Sequence, residues 1–240
     1  MDTEKLAVEW DIVMLCLPHG EAAAVAPALL NKGARVIDLS ADFRYNDAAV
    51  YEAWYHVAHP QKGLLAESVY GLPELYRERI KGAQLVGNPG CYTTCAILAL
   101  APLLKAGVAE PNGIIIDAKS GVTGAGRKEA LAYGFCEVEG NAKAYGVGTH
   151  RHTSEIEQEL SLAAGETVQV SFTPHLLPVK RGIISTMYAT PKAGISTGDI
   201  LKAYAPYQGE PFVQVYEKVL PELKYAVGSN GFADRKSTRL

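Results

Sequence analysis

The sequence predicts a parallel α/β piece followed by an α+β piece. Three observations carry that reading. Residues 12–17 and 36–40 are short apolar runs that bracket the Ala- and Leu-rich residues 21–32, closed by Gly33. Strand, helix, glycine stop and strand make a βαβ unit, and runs apolar on both faces imply a parallel sheet covered by helices. Further along, Val168, Val170 and Phe172 alternate with polar neighbours, as do residues 183–189. A period of two suits an antiparallel sheet with one solvent-leaning face. Between these halves, near residue 88, the texture changes.

The elements follow in order. Pro27 lies inside the first helical stretch, so that helix starts late or kinks there. Residues 84–87 form a strand that feeds Asn88-Pro-Gly-Cys91, then a strongly apolar helix to Lys105, stopped by Gly107 and bent at Pro102. Residues 113–118 are a strand, followed by the glycine-rich Ser120-Gly-Val-Thr-Gly-Ala-Gly126 and a short helix from Arg127. Ser154 and Glu157 match a capping box, which places a helix start just after His150 and His152. The chain opens in a polar stretch before what reads as a later strand, and it closes on a basic, patternless tail, residues 234–240, so both ends read as cut.

Composition narrows the function. Among 240 residues, 23 Lys+Arg face 26 Asp+Glu for a net charge of -3, which leaves no electrostatic footprint for nucleic acid. At 48% hydrophobic and 20% charged, the chain is globular rather than disordered. Its longest apolar run, residues 95–104, is about half of the ~20 residues that span a bilayer. Four cysteines without paired spacing suit reduced thiols in a cytoplasmic protein.

The sharpest motif is Gly87-Asn-Pro-Gly-Cys91-Tyr-Thr-Thr94. A cysteine that opens a helix faces unpaired N–H groups and the positive end of the dipole, and both favour the thiolate. A thiolate is the nucleophile for acyl transfer, and the same amides suit an oxyanion. The competing reading, a buried small hydrophobe, is the one expected for Cys16, Cys95 and Cys136. His150-Arg151-His152 supplies a base and a cation, although by spacing alone a solvated polar loop is an equal reading. His175 and Arg181 form a weaker pair of that kind, and His56 and His59 read as surface or packing residues. A metal site built from Cys91, Cys95, His150 and His152 lacks the spacing of a zinc module. In the 120–126 loop, bare glycine backbone before a helix suits a phosphate, although a plain strand-to-helix loop explains it too.

Together, Leu17-Pro-His-Gly20, Val36-Ile-Asp-Leu-Ser-Ala-Asp-Phe-Arg44, Val69-Tyr-Gly-Leu-Pro-Glu-Leu75, Asn88-Pro-Gly-Cys-Tyr92, Lys119-Ser-Gly-Val-Thr-Gly-Ala-Gly-Arg127, His150-Arg-His152 and Pro178-x-x-Arg-Gly182 resemble the N-acetyl-gamma-glutamyl-phosphate reductases. These are enzymes of arginine biosynthesis related to aspartate-semialdehyde dehydrogenase. The resemblance runs in order over nearly the whole chain. It implies an incomplete Rossmann-type parallel sheet (1–88, the remnant of an NADP-binding domain). An α+β glyceraldehyde-phosphate-dehydrogenase-like catalytic and oligomerisation domain (89–240) follows.

The resemblance further implies the roles. Cys91 falls on the catalytic cysteine, and His152 on the acid/base histidine with His150 as its rival. Arg151, Arg181 and Asn88 would hold the acyl-phosphate substrate. Ser120, Gly121, Gly124, Ala125, Gly126, Pro18 and His19 would line the NADP site, with no metal and a homodimeric or homotetrameric assembly. Thr93 stands where the family has Pro or a small residue. The family's first strand and glycine loop would precede Met1, and its last helix would follow Gly231 where the tail departs. The alternatives are an aminoadipyl or aspartyl phosphate as substrate, a thiol hydrolase or acyltransferase, and an inactive fragment.

Overall fold

The computed structural model describes residues 3–127 and 129–235, and divides into two compact units, Met1–Gly90 and Cys91–Leu240. The basic tail after Arg235, read as a departure from the family, lies outside the described residues.

Unit 1 opens on a helix where a polar stretch was expected: α1 (Thr3–Glu9), with Leu6 packed on the core. Then come β1 (Ile12–Leu15), α2 (Ala22–Leu30) and β2 (Arg35–Asp38), the expected βαβ unit. Four elements that periodicity does not announce follow: α3 (Ala48–Tyr55), α4 (Lys62–Glu67), β3 (Val69–Tyr70) and α5 (Pro73–Gly82), before β4 (Leu85–Gly87). The four strands are parallel in the order β1-β2-β4-β3. α2 runs through Pro27 and buries Ala22, Ala23, Ala26 and Leu29 against Leu15, Val36 and Phe43. One expectation fails here. On the edge strand β1 only Val13 and Leu15 are covered, while Ile12 and Met14 are exposed on the opposite face.

The start of α2 is held by a buried carboxylate. Asp42 accepts from Gly20 N (2.7 Å), Ala23 N (3.0 Å) and the Tyr51 hydroxyl (2.9 Å). An anion at a helix N-terminus, supplied with three donors, has its lost hydration replaced. Burial next to that carboxylate pushes the Tyr51 phenol up. β4 ends in Gly87 for a steric reason, since a Cβ there would lie 2.0 Å from the Phe43 carbonyl oxygen.

Unit 2 starts on α6 (Cys91–Lys105), whose residues from Ala96 to Leu104 are all buried. β5 (Ile114–Gly121) leads into a 3-10 turn, Val122–Ala125, and a second one, Leu131–Tyr133. No helix starts at Arg127; the next is the one-turn α7 (Phe135–Val138). β6 (Lys143–Ala144), α8 (His152–Ala164), β7 (Val170–Leu177) and β8 (Ile183–Tyr188) complete the main layer pair. Beyond them lie α9 (Thr197–Ala203), β9 (Val213–Tyr216), α10 (Leu223–Ala226) and β10 (Phe232–Arg235), with β9 and β10 paired in parallel.

The sheet order is β6-β7-β5-β8. β8 is antiparallel to β5 as expected, and β6, a strand the sequence does not announce, is antiparallel to β7, but β7 pairs with β5 in parallel. Alternation reports a half-covered face and not strand direction, so the sequence could not separate the two. One face, with Ile114, Ile116, Ala118, Phe172 and Leu176, is buried, whereas the other presents Ile115, Ile184 and Tyr188 to solvent. α6 also runs through its proline. Pro102 has no N–H for the Leu98 carbonyl, and the buried Tyr207 hydroxyl donates to that oxygen instead (3.0 Å), with Tyr204 donating to Ala99 O next door. Among the described residues no helix is long and apolar enough to cross a membrane.

Candidate active site

Cys91 is the first residue of α6 and is exposed, while Tyr92 and Thr93 behind it are buried. The turn before it ends in the rigid Pro-Gly pair, so the thiol stands where the first helical amides have no intrahelical acceptor. A thiolate is favoured there by those N–H groups and by the dipole. Exposure alone does not single it out. Cys16 and Cys136, expected to be buried, are also exposed, because Cys16 falls just past the end of β1 and Cys136 lies on the one-turn α7. Cys95 is half-buried on α6.

Tyr92 ties the cysteine's helix to the histidines. Its ring meets His150 edge-on at 5.7 Å, His152 at 6.1 Å and Phe172 at 5.4 Å. His150 also has Tyr145 at 5.6 Å, Phe172 at 5.4 Å and His152 at 4.9 Å, so four rings surround it. The loop reaches this position by a tight turn in which His150 N donates to Gly146 O (2.8 Å). Burial in the cage, reinforced by the positive ends of His152 and Arg151, pulls His150 down to about 4.

The two histidines are not equivalent. His150 Nδ1 accepts from the His152 backbone N–H (3.1 Å), so the neutral ring carries its proton on Nε2. His150 thus acts as a cap on α8 and presents a donor. His152 is the first residue of that helix, and Ser154 lies inside it with its hydroxyl on the Arg151 carbonyl (3.0 Å). The capping box read at Ser154 and Glu157 is therefore absent. Glu157 instead accepts from Val170 N (3.0 Å).

The glycine-rich loop divides its residues between packing and access. Ser120 is buried, and its hydroxyl is bonded to the two phenols of Tyr92 and Tyr145. A Cβ on Gly121 would lie 2.6 Å from Arg181 N and 2.7 Å from Lys180 C, so this glycine serves close backbone approach. Gly121 N, Val122 N and Thr123 N all donate to the 179–182 turn. Gly124 and Gly126 leave open main chain on either side of Ala125, next to a cleft of about 740 Å³ lined by Val122, Thr123, Gly126, Arg127 and Tyr133 among others. Arg181 sits in the turn that abuts Gly121, and Arg151 precedes α8; both are exposed.

The remaining candidates have local partners. In unit 1, Asn88 donates from Nδ2 to the Pro89 carbonyl (3.2 Å), and its own carbonyl accepts from Arg44 Nε (2.6 Å). His19 Nδ1 accepts from Ala41 N (3.0 Å), and Pro18 O closes the turn to Glu21. His56 is an exposed left-handed helix cap, while His59 is buried with Nε2 on the Asp42 carbonyl (2.6 Å). On the outer sheet face of unit 2, His175 Nδ1 lies 3.1 Å from Asp117 Oδ1, beside the Asp117–Lys119 pair. Among the described residues, no group of three or more His, Cys, Asp or Glu is placed to hold a metal.

Three features escaped the sequence reading. Tyr92, Tyr145 and Phe172 build the cage; buried Arg44 braces the loop ahead of the cysteine; and Thr93 Oγ1 donates to the fully buried Glu155 (3.0 Å) between α6 and α8. Only Tyr92, adjacent to the cysteine, carried a signal that could have found it.

Family models cover both units: a semialdehyde dehydrogenase NAD binding domain matches residues 1–83, and a semialdehyde dehydrogenase dimerisation domain residues 91–235. The N-acetyl-gamma-glutamyl-phosphate reductase of Acetivibrio thermocellus is 53% identical over 232 residues, which take in 96% of this chain and 67% of that protein. The chain belongs to the N-acetyl-gamma-glutamyl-phosphate reductase family. Reductases of the same name from Syntrophobacter fumaroxidans (54% identical, 95% of this chain and 67% of that protein) and Symbiobacterium thermophilum (57%, 92% and 64%) agree. This chain thus spans about two thirds of the length of these reductases. Among solved structures, aspartate semialdehyde dehydrogenase II from Vibrio cholerae superposes with a TM-score of 0.65 at 16% identity, covering 95% of this chain and 68% of that one. The Francisella tularensis aspartate semialdehyde dehydrogenase gives 0.66 at 13%, covering 97% and 73%. At such identities the likeness concerns the fold. Family membership makes the chain an oxidoreductase of the arginine-biosynthesis type.

Proposed function

We propose that the chain catalyses the NADPH-dependent reduction of N-acetyl-glutamyl 5-phosphate to N-acetyl-glutamate 5-semialdehyde. The observation that carries this reading is an exposed cysteine at a helix start whose next residue touches two imidazoles. The substrate is supported by the name of relatives at 53–57% identity. NADPH, as distinct from a nicotinamide cofactor in general, is supported by a neighbour of low identity solved with NADP.

His152 takes the proton of Cys91, and the thiolate attacks the acyl carbonyl. The carbon–oxygen bond to phosphate breaks, phosphate departs with that electron pair, and a thioester remains on Cys91. His150, neutral at pH 7 and locked with its proton on Nε2, donates a hydrogen bond to a substrate oxygen. The amides at the start of α6 face the oxygen that becomes negative. Arg151 and Arg181 supply cations for the substrate's phosphate and carboxylate. Gly124, Ala125 and Gly126 fit a nicotinamide cofactor because the main chain at the two glycines is open next to the cleft that Gly126 lines. Pro18 and His19 of unit 1 are read with the cofactor, and Asn88 with the substrate. A bound nicotinamide cofactor would supply hydride to the thioester carbonyl; the carbon–sulfur bond then breaks, its electron pair returns to Cys91 as thiolate, and the aldehyde is released. The outward sheet face with Ile115, Ile184 and Tyr188 is our choice for the seam of a homodimer or homotetramer, and a cytosolic location suits cysteines that form no disulfide.

Iodoacetamide labelling tests the nucleophile directly. Cys91 is expected to react at neutral pH at least about tenfold faster than Cys16 and Cys136, which are also exposed, because thiolate fraction sets the rate. Cys91→Ser should abolish phosphate-dependent, NADP-coupled oxidation of the semialdehyde while the circular dichroism spectrum is unchanged. Equal labelling of all exposed thiols, or activity kept in the Ser variant, overturns the assignment.

A further inference from the structure

Three hydroxyls meet behind the nucleophile, each from a different segment of unit 2. Tyr92 Oη, from the start of α6, lies 3.0 Å from Tyr145 Oη and also reaches the His175 carbonyl at 3.4 Å. Tyr145 follows β6 and opens the turn that carries His150. Ser120, at the end of β5 where the glycine-rich loop begins, hydrogen-bonds both phenols. Tyr92 and Ser120 are buried, so water does not replace these partners. Tyr92 is the residue next to Cys91, so the junction is anchored in the same helical turn as the thiol.

We propose that the Ser120–Tyr92–Tyr145 hydroxyl junction is a positioning device that fixes the cysteine's helix start against the histidine turn and the glycine loop. The proposal rests on the reading of Cys91 as nucleophile. Each hydroxyl alone joins two segments, and the three together set the mutual register of all three. Loss of one bond loosens the first turn of α6, whose amides hold the thiolate, and the thiol pKa rises. Ser120 is then a positioning residue whose hydroxyl faces inward, while Gly126, further along the loop, lines the cleft. Because the three bonds form one network, their deletions are not independent.

The test measures Cys91 alkylation against pH in the full chain for the wild type, Tyr92→Phe, Tyr145→Phe, Ser120→Ala and the double Phe variant, with Cys16 as internal control. The Phe variants keep the rings of the cage and remove only oxygen. Each single change is expected to slow Cys91 alkylation at pH 7 by about threefold or more and to move its half-point upward, with Cys16 unaffected. The double variant should be no more than about twofold slower than the slower single, as in a shared network. A lowered unfolding midpoint with an unchanged Cys91 profile would show a purely structural role and overturn the proposal, as would full additivity. If wild-type Cys91 is itself no faster than Cys16, the nucleophile reading fails first, and the two failures are distinguished by that one rate.

Discussion

Acidification isolates the caged histidine. In the folded chain His150 sits at about 4, chiefly because burial strips water from the cation, with His152 and Arg151 adding like charge. In the unfolded chain it returns to about 6.5. Between pH 6.5 and 4 the unfolded state therefore binds more protons. The stability this group contributes is fully present above pH 6.5 and is lost as pH falls toward 4. Linkage with these two values gives a loss of about 2 kcal/mol by pH 5, and solvent screening at the partly exposed ring lowers it to about 1 kcal/mol. His150→Asn keeps an acceptor near the His152 amide and removes the titration. Urea unfolding of both proteins at pH 7 and pH 5 should show the wild type losing about 1 kcal/mol more than the variant. Equal losses in the two, or an imidazole of His150 that titrates near 6.5 by NMR, would refute the cage as the cause.

Two further predictions concern packing. Tyr207→Phe leaves the Leu98 carbonyl without its donor and should cost about 1–3 kcal/mol in urea unfolding. In a Pro102→Ala background the new N–H restores the helical bond, so the same change should cost less than half as much, and additive costs would refute the argument. Gly121→Ala forces a Cβ against the Lys180–Arg181 backbone and should lower Tm by several degrees, about 2 kcal/mol. Gly124→Ala, whose Cβ meets nothing nearer than Ser120 Oγ at 3.9 Å, should leave Tm unchanged; equal falls would sink the distinction.

Much of the fold was legible where one force dominated. The βαβ unit showed because apolar runs of 4–6 residues flank a helix that ends in Gly33, and Gly33 has the positive φ that such a stop needs. The start of α6 at Cys91 showed because Pro89 and Gly90 cannot continue a helix backwards. Elements held by tertiary contacts did not show. β3 has two residues and α4 six, too short for a period to register. The capping boxes teach the same lesson from both sides. Ser196 and Asp199 form a real one, with side chain and backbone bonded reciprocally, whereas Ser154 and Glu157 have the same spacing and form none. At His150 an imidazole occupies the capping role first, and the downstream serine is drawn into the helix.

The site was half legible for a related reason. Sequence spacing points to residues that do chemistry, and it is silent on residues that only hold them. Cys91, His150 and His152 were found because nucleophile, base and helix start have sequence signatures. Tyr145 and Phe172 were not, since an aromatic within or just past a strand reads as core anywhere in a chain. The 120–126 loop shows how the two kinds of residue interleave. Read as a string, its Ser and three Gly suggest one phosphate cradle. In space Ser120 points inward to two phenols, Gly121 lets two backbones touch, and only Gly124 and Gly126 leave main chain open. A glycine is required by whatever lies closest to its missing Cβ. For Gly121 that neighbour is the protein itself, so its presence testifies to packing and carries no information about a cofactor.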